Sequence, residues 1–320
     1  MNLQGIYAPV PTSFGEDGAV LEGLFRANLQ KWAKSSLDGI VVCGSNGELP
    51  FTTIDERATL TSIARDVLDR VDRDGQRGRK PRKNVLTGAF MQTTQDTMTC
   101  CAAAADAGAD AVLLLPPHYF KGQGAPGIVR FFDDAADASP IPIVLYNMPA
   151  NTCVDMDVET VMALAAHPNI IGIKDTSGNI TKLANIAARA NSADITNGFS
   201  VFCGSASYFL PALSIGAVGG TLAVANLYPE SCRELMNLYR DGRVLDALLL
   251  QRLLLIANDA LISRFGVPGL KSAMDRAGLY GGPCRPPLLP LDDESRQKLF
   301  AILDRLRDAS LDSREKWRLP

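Results

Sequence analysis

Eight short apolar runs alternate with stretches of helical periodicity over the first 225 residues, and this alternation constrains the chain more than any other feature. The runs lie at 5–14 (GIYAPVPTSF), 39–43 (GIVVC), 84–89 (NVLTGA), 111–115 (AVLLL), 140–148 (PIPIVLYNM), 170–176 (IIGIKDT), 199–203 and 216–224. No two of them are joined by a tight hairpin signal. Strands that are apolar on both faces, with helices between them, make a parallel sheet covered on the outside. Eight such units are the number that closes a (β/α)8 TIM barrel, the fold class expected here. A doubly wound open sheet is the alternative that the pattern leaves. Helical spacing is read at 21–36, 53–68, 93–107, 157–166 and 180–190. After residue 225 the pattern turns helical, at 229–238, 244–263 and 292–306, with Leu253, Leu254 and Leu255 expected to be buried and a Gly/Pro-rich stretch at 278–287. The expected organisation is a barrel over 1–225 and a C-terminal helical appendix over 226–320 packed on it.

Composition narrows the function classes. With 320 residues, 47% of them hydrophobic, the chain can bury a sizeable core. A net charge of -3 gives no general reason to expect a nucleic-acid partner. The basic stretch 65–83 (RDVLDRVDRDGQRGRKPRK) lacks interleaved aromatics and reads as a helix end running into an inserted, solvated loop. His118 and His167 stand far apart without ligand-like spacing, so no metal is expected. Seven cysteines without a C-x-x-C pair read as reduced thiols, as in a cytoplasmic protein. No apolar run reaches membrane-spanning length, and the start at the first expected strand leaves no expected signal or transit peptide. GQGAPG at 122–127 matches the dinucleotide pattern G-x-G-x-x-G. It contains Pro126 and lies outside the first strand-to-helix turn, so no dinucleotide cofactor is expected.

In a (β/α)8 barrel the reactive groups sit at the carboxyl ends of the strands. The sixth run ends on Lys174, and a lysine is costly to bury. Desolvation favours the neutral amine, and a neutral amine attacks carbonyls, so Lys174 is the candidate Schiff-base nucleophile for a keto acid. The alternative is a strand-ending lysine that snorkels to solvent. Tyr146, at the end of the fifth run, is the candidate proton carrier, or else a tyrosine with a satisfied hydroxyl. The second run empties into Gly44-Ser45-Asn46-Gly47, whose N–H groups and hydroxyl suit a carboxylate, or form an ordinary tight turn. Glu48 is expected to tie that loop down, and Tyr119 to pack at an interface.

The motifs GSNGELPF, YNMPANT, GIKDTSG and RFGVPGLKSAMDRAGLYGGPCRPPL resemble the dihydrodipicolinate synthase / N-acetylneuraminate lyase family, from about residue 5 to 291. The 28 residues from Tyr146 to Lys174 match that family's spacing. Ser45-Asn46, the stretch Pro149-Ala150-Asn151-Thr152 and YGGPCR-x-P resemble its eukaryotic-type 4-hydroxy-2-oxoglutarate aldolase branch. The resemblance implies a class I aldolase that cleaves a 4-hydroxy-2-keto acid to pyruvate and an aldehyde, glyoxylate in that branch, with no cofactor. Dihydrodipicolinate synthase and 2-keto-3-deoxy sugar acid aldolase are the alternatives within the family. A catalytically silent keto-acid-binding member is the alternative outside enzymes. By resemblance Lys174 is the Schiff-base lysine and Tyr146 the catalytic tyrosine. Ser45 and Asn46 bind the pyruvoyl carboxylate, Ser45 also relaying protons. Thr176 lies near the substrate's far end and Gly204 lines the pocket. Tyr119 reaches a neighbouring subunit's site in a homotetramer, a dimer of dimers. Asn151 stands where the synthases carry an arginine that grips the acidic aldehyde, so weak condensation with aspartate semialdehyde is expected.

Overall fold

The sheet closes. In the computed structural model, which describes residues 3–73, 81–120, 122, 124–190, 195 and 198–312, each strand is parallel to the next and β8 returns to pair with β1. The strands are β1 (Gly5–Pro9), β2 (Gly39–Val42), β3 (Asn84–Gly88), β4 (Ala111–Leu114), β5 (Ile143–Asn147), β6 (Ile170–Asp175), β7 (Ser200–Cys203) and β8 (Gly219–Thr221). All but the first residue of β3 are buried, which is why their sequences run apolar rather than alternating. Closure, which the strand pattern left open, depends on a close approach. A Cβ on Gly219 would lie 2.0 Å from the Gly5 carbonyl oxygen, so the β8–β1 seam admits only glycine there.

The outer helices are α1 (Glu22–Lys34), α2 (Ile54–Arg73), α3 (Thr94–Asp106), α4 (Gly124–Ala138), α5 (Pro149–Thr152), α6 (Val158–Ala165), α7 (Ile180–Ala190) and α8 (Phe209–Ser214). Side-chain caps start four of them. Thr53 accepts from the Glu56 N–H, Thr93 from the Asp96 N–H, Asp157 from the Thr160 N–H and Asn179 from the Lys182 N–H. Beyond the barrel come α9 (Pro229–Arg240), α10 (Val244–Asn258), a π-helical stretch at Asp259–Arg264, α11 (Gly266–Arg276) and α12 (Asp293–Asp312). Leu250, Leu254, Leu261 and Leu270 of this region share one apolar cluster with Ile40, Val42 and Leu222 of the barrel.

Several expectations need correction. The helix read at 53–68 runs on to Arg73, so residues 69–73 are helix rather than loop, with Val71 buried along with Val67 and Leu68. Arg65 is itself buried and ion-paired with Asp69 and Asp110, and Lys83 is 1% exposed. Residues 74–80 of that basic stretch lie outside the described residues. The GQGAPG pattern leads into α4, with Pro126 in its first turn, where proline's missing N–H costs nothing. Of the three leucines at 253–255 only Leu254 is fully buried, and Leu255 is 45% exposed. No helix was expected at α11, where Gly266, Pro268 and Gly269 punctuate the first turn. Gly269 is there for packing, since a Cβ would meet that of Phe265 at 2.4 Å.

One detail of register positions the site. Between β5 and β6, Ile143 pairs with Ile170 but Val144 pairs with Gly172, so Ile171 has no counterpart. This local irregularity sets Tyr146 directly opposite Lys174.

Candidate active site

Lys174 is 4% exposed, and its Nζ lies 3.9 Å from the centroid of the Tyr146 ring. Lys83, Lys182 and Lys271 are also buried, and each of their amines has an oxygen partner. Among the described residues the Lys174 amine alone of these four has no hydrogen-bond or ion-pair partner; it faces an aromatic ring. A buried amine not spent on structure is what nucleophilic chemistry needs.

Tyr146 is 4% exposed, and its hydroxyl stands 3.1 Å from Ser45 Oγ, so the ends of β2 and β5 meet over the end of β6. The Tyr146 hydroxyl donates to Met148 Sδ at 2.6 Å, and Ser45 Oγ is 3.4 Å from the same sulfur. The thioether is a weak acceptor that a substrate hydroxyl can displace. Asn46 is buried beside Ser45, and its Nδ2 has no hydrogen-bond partner among the described residues. An orphaned buried donor is costly and marks a place where an acceptor is accommodated. The turn Ser45–Gly47 is single and 3-10, with Gly47 and Glu48 N–H groups bonded back to Gly44 and Ser45.

The structure also shows what other predicted residues do. Thr176 Oγ1 donates to the Asn147 carbonyl at 2.6 Å, so its hydroxyl proton is committed to the backbone. A Cβ on Gly204 would lie 2.1 Å from Thr176 Cγ2 and 2.7 Å from the Asp175 carbonyl oxygen; glycine lets β7's end close on β6. Asn151 is exposed and lines a cavity of about 520 Å³ with Ser45, Met148, Thr152, Gln92 and His118. Tyr119 is 76% exposed, stacked edge-on against Phe120, and is not part of this chain's own cluster around Lys174.

Three supporting groups were not legible in advance. Met148 is two residues past Tyr146 and carried no polar signal. Asp175 is fully buried beside Lys174 in sequence; its carboxylate accepts from Asn147 and pairs with Lys182 Nζ at 2.9 Å. That pairing keeps a buried negative charge compensated. Cys203, fully buried at the end of β7, has its thiol pushed up to about 12 by desolvation and is therefore not a rival nucleophile.

The fold and this cluster define a barrel enzyme built around a buried amine. The model of the Dihydrodipicolinate synthetase family matches residues 2–306. A "Probable 4-hydroxy-2-oxoglutarate aldolase, mitochondrial" of Emericella nidulans is 37% identical over 296 residues, covering 92% of each chain. An L-threo-3-deoxy-hexylosonate aldolase of Hypocrea jecorina is 35% identical, covering 95% of each. A 4-hydroxy-tetrahydrodipicolinate synthase of Methanothrix thermoacetophila is 32% identical, covering 98% of this chain and all of its own. The crystal structure of YagE from E. coli K12 in complex with pyruvate superposes with a TM-score of 0.84 at 29% identity, over 95% of this chain and 98% of that one. The chain belongs to the dihydrodipicolinate synthetase family and is an enzyme of its pyruvate-dependent aldolase class.

Proposed function

We propose that the protein reversibly cleaves a 4-hydroxy-2-keto acid, with 4-hydroxy-2-oxoglutarate the favoured substrate, giving pyruvate and glyoxylate. The observation that carries the chemistry is the buried Lys174 amine without an oxygen partner, 3.9 Å above the Tyr146 ring. The choice of substrate rests on the 37% identity to the named aldolase, and Asn151 weighs against aspartate semialdehyde as the aldehyde partner. Lys174 Nζ adds to the C2 carbonyl, water leaves, and the protonated imine becomes the electron sink. Tyr146, assisted by Ser45 at 3.1 Å, takes the C4 hydroxyl proton. The C3–C4 bond breaks, its electron pair moving toward the imine to give an enamine, and the aldehyde departs. Protonation at C3 and hydrolysis then release pyruvate and restore the lysine. Asn46 Nδ2 and the Ser45–Asn46 turn hold the pyruvoyl carboxylate. Tyr119, exposed on this chain, completes the site of a second copy in a homotetramer.

A second reading of the aldehyde half is a 2-keto-3-deoxy sugar acid, and the cavity beside Met148 favours it. Arg57, the arginine among its lining residues, gives its N–H groups to Thr52, Leu49 and Phe90 oxygens, all neutral. Gln92, His118 and Asn151 supply hydrogen-bonding groups for a polyol.

Borohydride reduction after incubation with pyruvate, followed by peptide mapping, tests the chemistry. One pyruvate adduct on Lys174 is expected; no adduct, or one on another lysine, overturns the mechanism. Aldehydes assayed with pyruvate then separate the substrates. Turnover of aspartate semialdehyde above that of glyoxylate would defeat the role given to Asn151.

A further inference from the structure

The turn that carries Ser45 and Asn46 ends on a residue that ought not to be there. Glu48 adopts φ 60°, ψ 41°, the left-handed region where glycine or asparagine is easy and a longer side chain is strained. Its carboxylate is nonetheless fully buried. Strain of this kind persists where the surroundings over-determine it. Here they come from the other end of the chain. Lys271 of α11, 1% exposed, places Nζ 2.6 Å from Glu48 Oε1. The same amine donates to the Pro283 carbonyl at 2.7 Å and lies 4.9 Å from the centroid of the Phe14 ring. Glu48 Oε2 accepts the Arg285 main-chain N–H at 2.7 Å.

Arg285 extends the contact. Its guanidinium grips both Glu56 oxygens, at 2.8 and 2.6 Å, and the Gly18 carbonyl at 2.6 Å. The segment also presses close on α11: a Cβ on Gly281 would lie 1.9 Å from the Lys271 carbonyl oxygen. From below, Thr12 Oγ1 donates to the Gly47 carbonyl at 2.7 Å. The Glu48 N–H is bonded to the Ser45 carbonyl at 3.1 Å. Wherever Lys271 and Arg285 hold Glu48, Ser45 and Asn46 are held as well.

We propose that the C-terminal appendix is a working part of the active site, with Lys271 a positioning residue that sets the carboxylate-binding turn through its buried ion pair with Glu48. The inference rests on the reading of that turn as the pyruvate carboxylate site. Lys271 touches no substrate in this account. It fixes the geometry of the donors that do, so its loss weakens pyruvate capture more than it slows the chemistry that follows.

The test measures the pyruvate concentration that half-saturates borohydride trapping at Lys174, alongside circular dichroism and thermal melting. Removing one partner would leave a buried charge uncompensated, so the pair is replaced together by apolar side chains, E48L/K271M, which a core tolerates. The expected result is a folded protein whose half-saturating pyruvate rises at least about tenfold, a change equivalent to about 1.4 kcal/mol. A folded double variant within twofold of the native protein overturns the proposal, because the pair would then be structural only. Should that variant not fold, E48D keeps the charge and withdraws the carboxylate by one methylene. A rise of threefold or more then supports the proposal, and no rise overturns it. If the native protein itself traps no pyruvate, the aldolase reading fails, and that outcome is distinct from equal trapping by native and variant.

Discussion

Lys83 and Lys174 are two buried lysines at opposite ends of one barrel. Lys83, just before β3, is 1% exposed and its amine is spent on main-chain oxygens, donating to the Ser35 carbonyl at 2.8 Å and also to that of Leu37. Lys174, near the carboxyl end of β6, is 4% exposed and faces the Tyr146 ring with no oxygen acceptor among the described residues. Burial is nearly the same; what differs is the use of the donors. At the amino end of the strands the amine is consumed in holding loops to the sheet. At the carboxyl end it is kept available, which is where such barrels place chemistry.

Exchanging each lysine for methionine should separate the two roles. Lys174→Met should lower lyase activity by about 10³-fold or more and abolish the pyruvate adduct, with little change in melting temperature. The adduct surviving in that variant would end the distinction between the two ends. Next in size is Tyr146→Phe, which removes only the hydroxyl. Its kcat should fall by about 10²-fold or more while borohydride trapping at Lys174 persists, since the amine remains. Lys83→Met should do the reverse of Lys174→Met. It leaves two buried carbonyls short of a donor, at a cost of about 1–3 kcal/mol, read as a lower melting temperature in protein that still traps pyruvate.

The smallest effect concerns the strap across the carboxyl end. The hydrogen bond from Arg285 holds the Glu56 carboxyl below its ordinary value of 4.5. A depressed carboxyl contributes stability that is present above pH 4.5 and is lost as pH falls through the folded-state value. The native protein should therefore melt higher than Glu56→Gln near neutral pH, and the gap should narrow below pH 4.5. A gap that is constant with pH would show the pair contributes no charge-dependent stability.

The sequence displayed the strands because each is a short run of apolar residues, and burial on both faces leaves no alternation to confuse the reading. Lys174 stood out for the same reason, as a charge at the end of such a run. Residues 266–276 and 124–138 did not read as helices because Gly266, Pro268, Gly124 and Pro126 crowd their first turns, and local punctuation outweighed the periodicity behind it. The role of Arg65 was hidden in a basic stretch, since its partner Asp110 lies far along the chain. Glu48 could be read as tying down its loop, but not to what. Nothing local in the sequence points from Glu48 to Lys271, and only the fold brings them within 2.6 Å.

The unpaired Ile171 in β6 has a consequence for how this chain can change over generations. Insertions and deletions in the connecting loops lengthen or shorten a surface path and leave the strands in place. Loss of one residue between Ile170 and Lys174 would remove the irregularity and let the two strands pair evenly, with Tyr146 still opposite the lysine. Gain of a further residue there, or loss of one between Ile143 and Tyr146, would shift the pairing and turn the lysine toward the other face of the sheet. A chain changed in that way would keep its barrel and lose the meeting of phenol and amine.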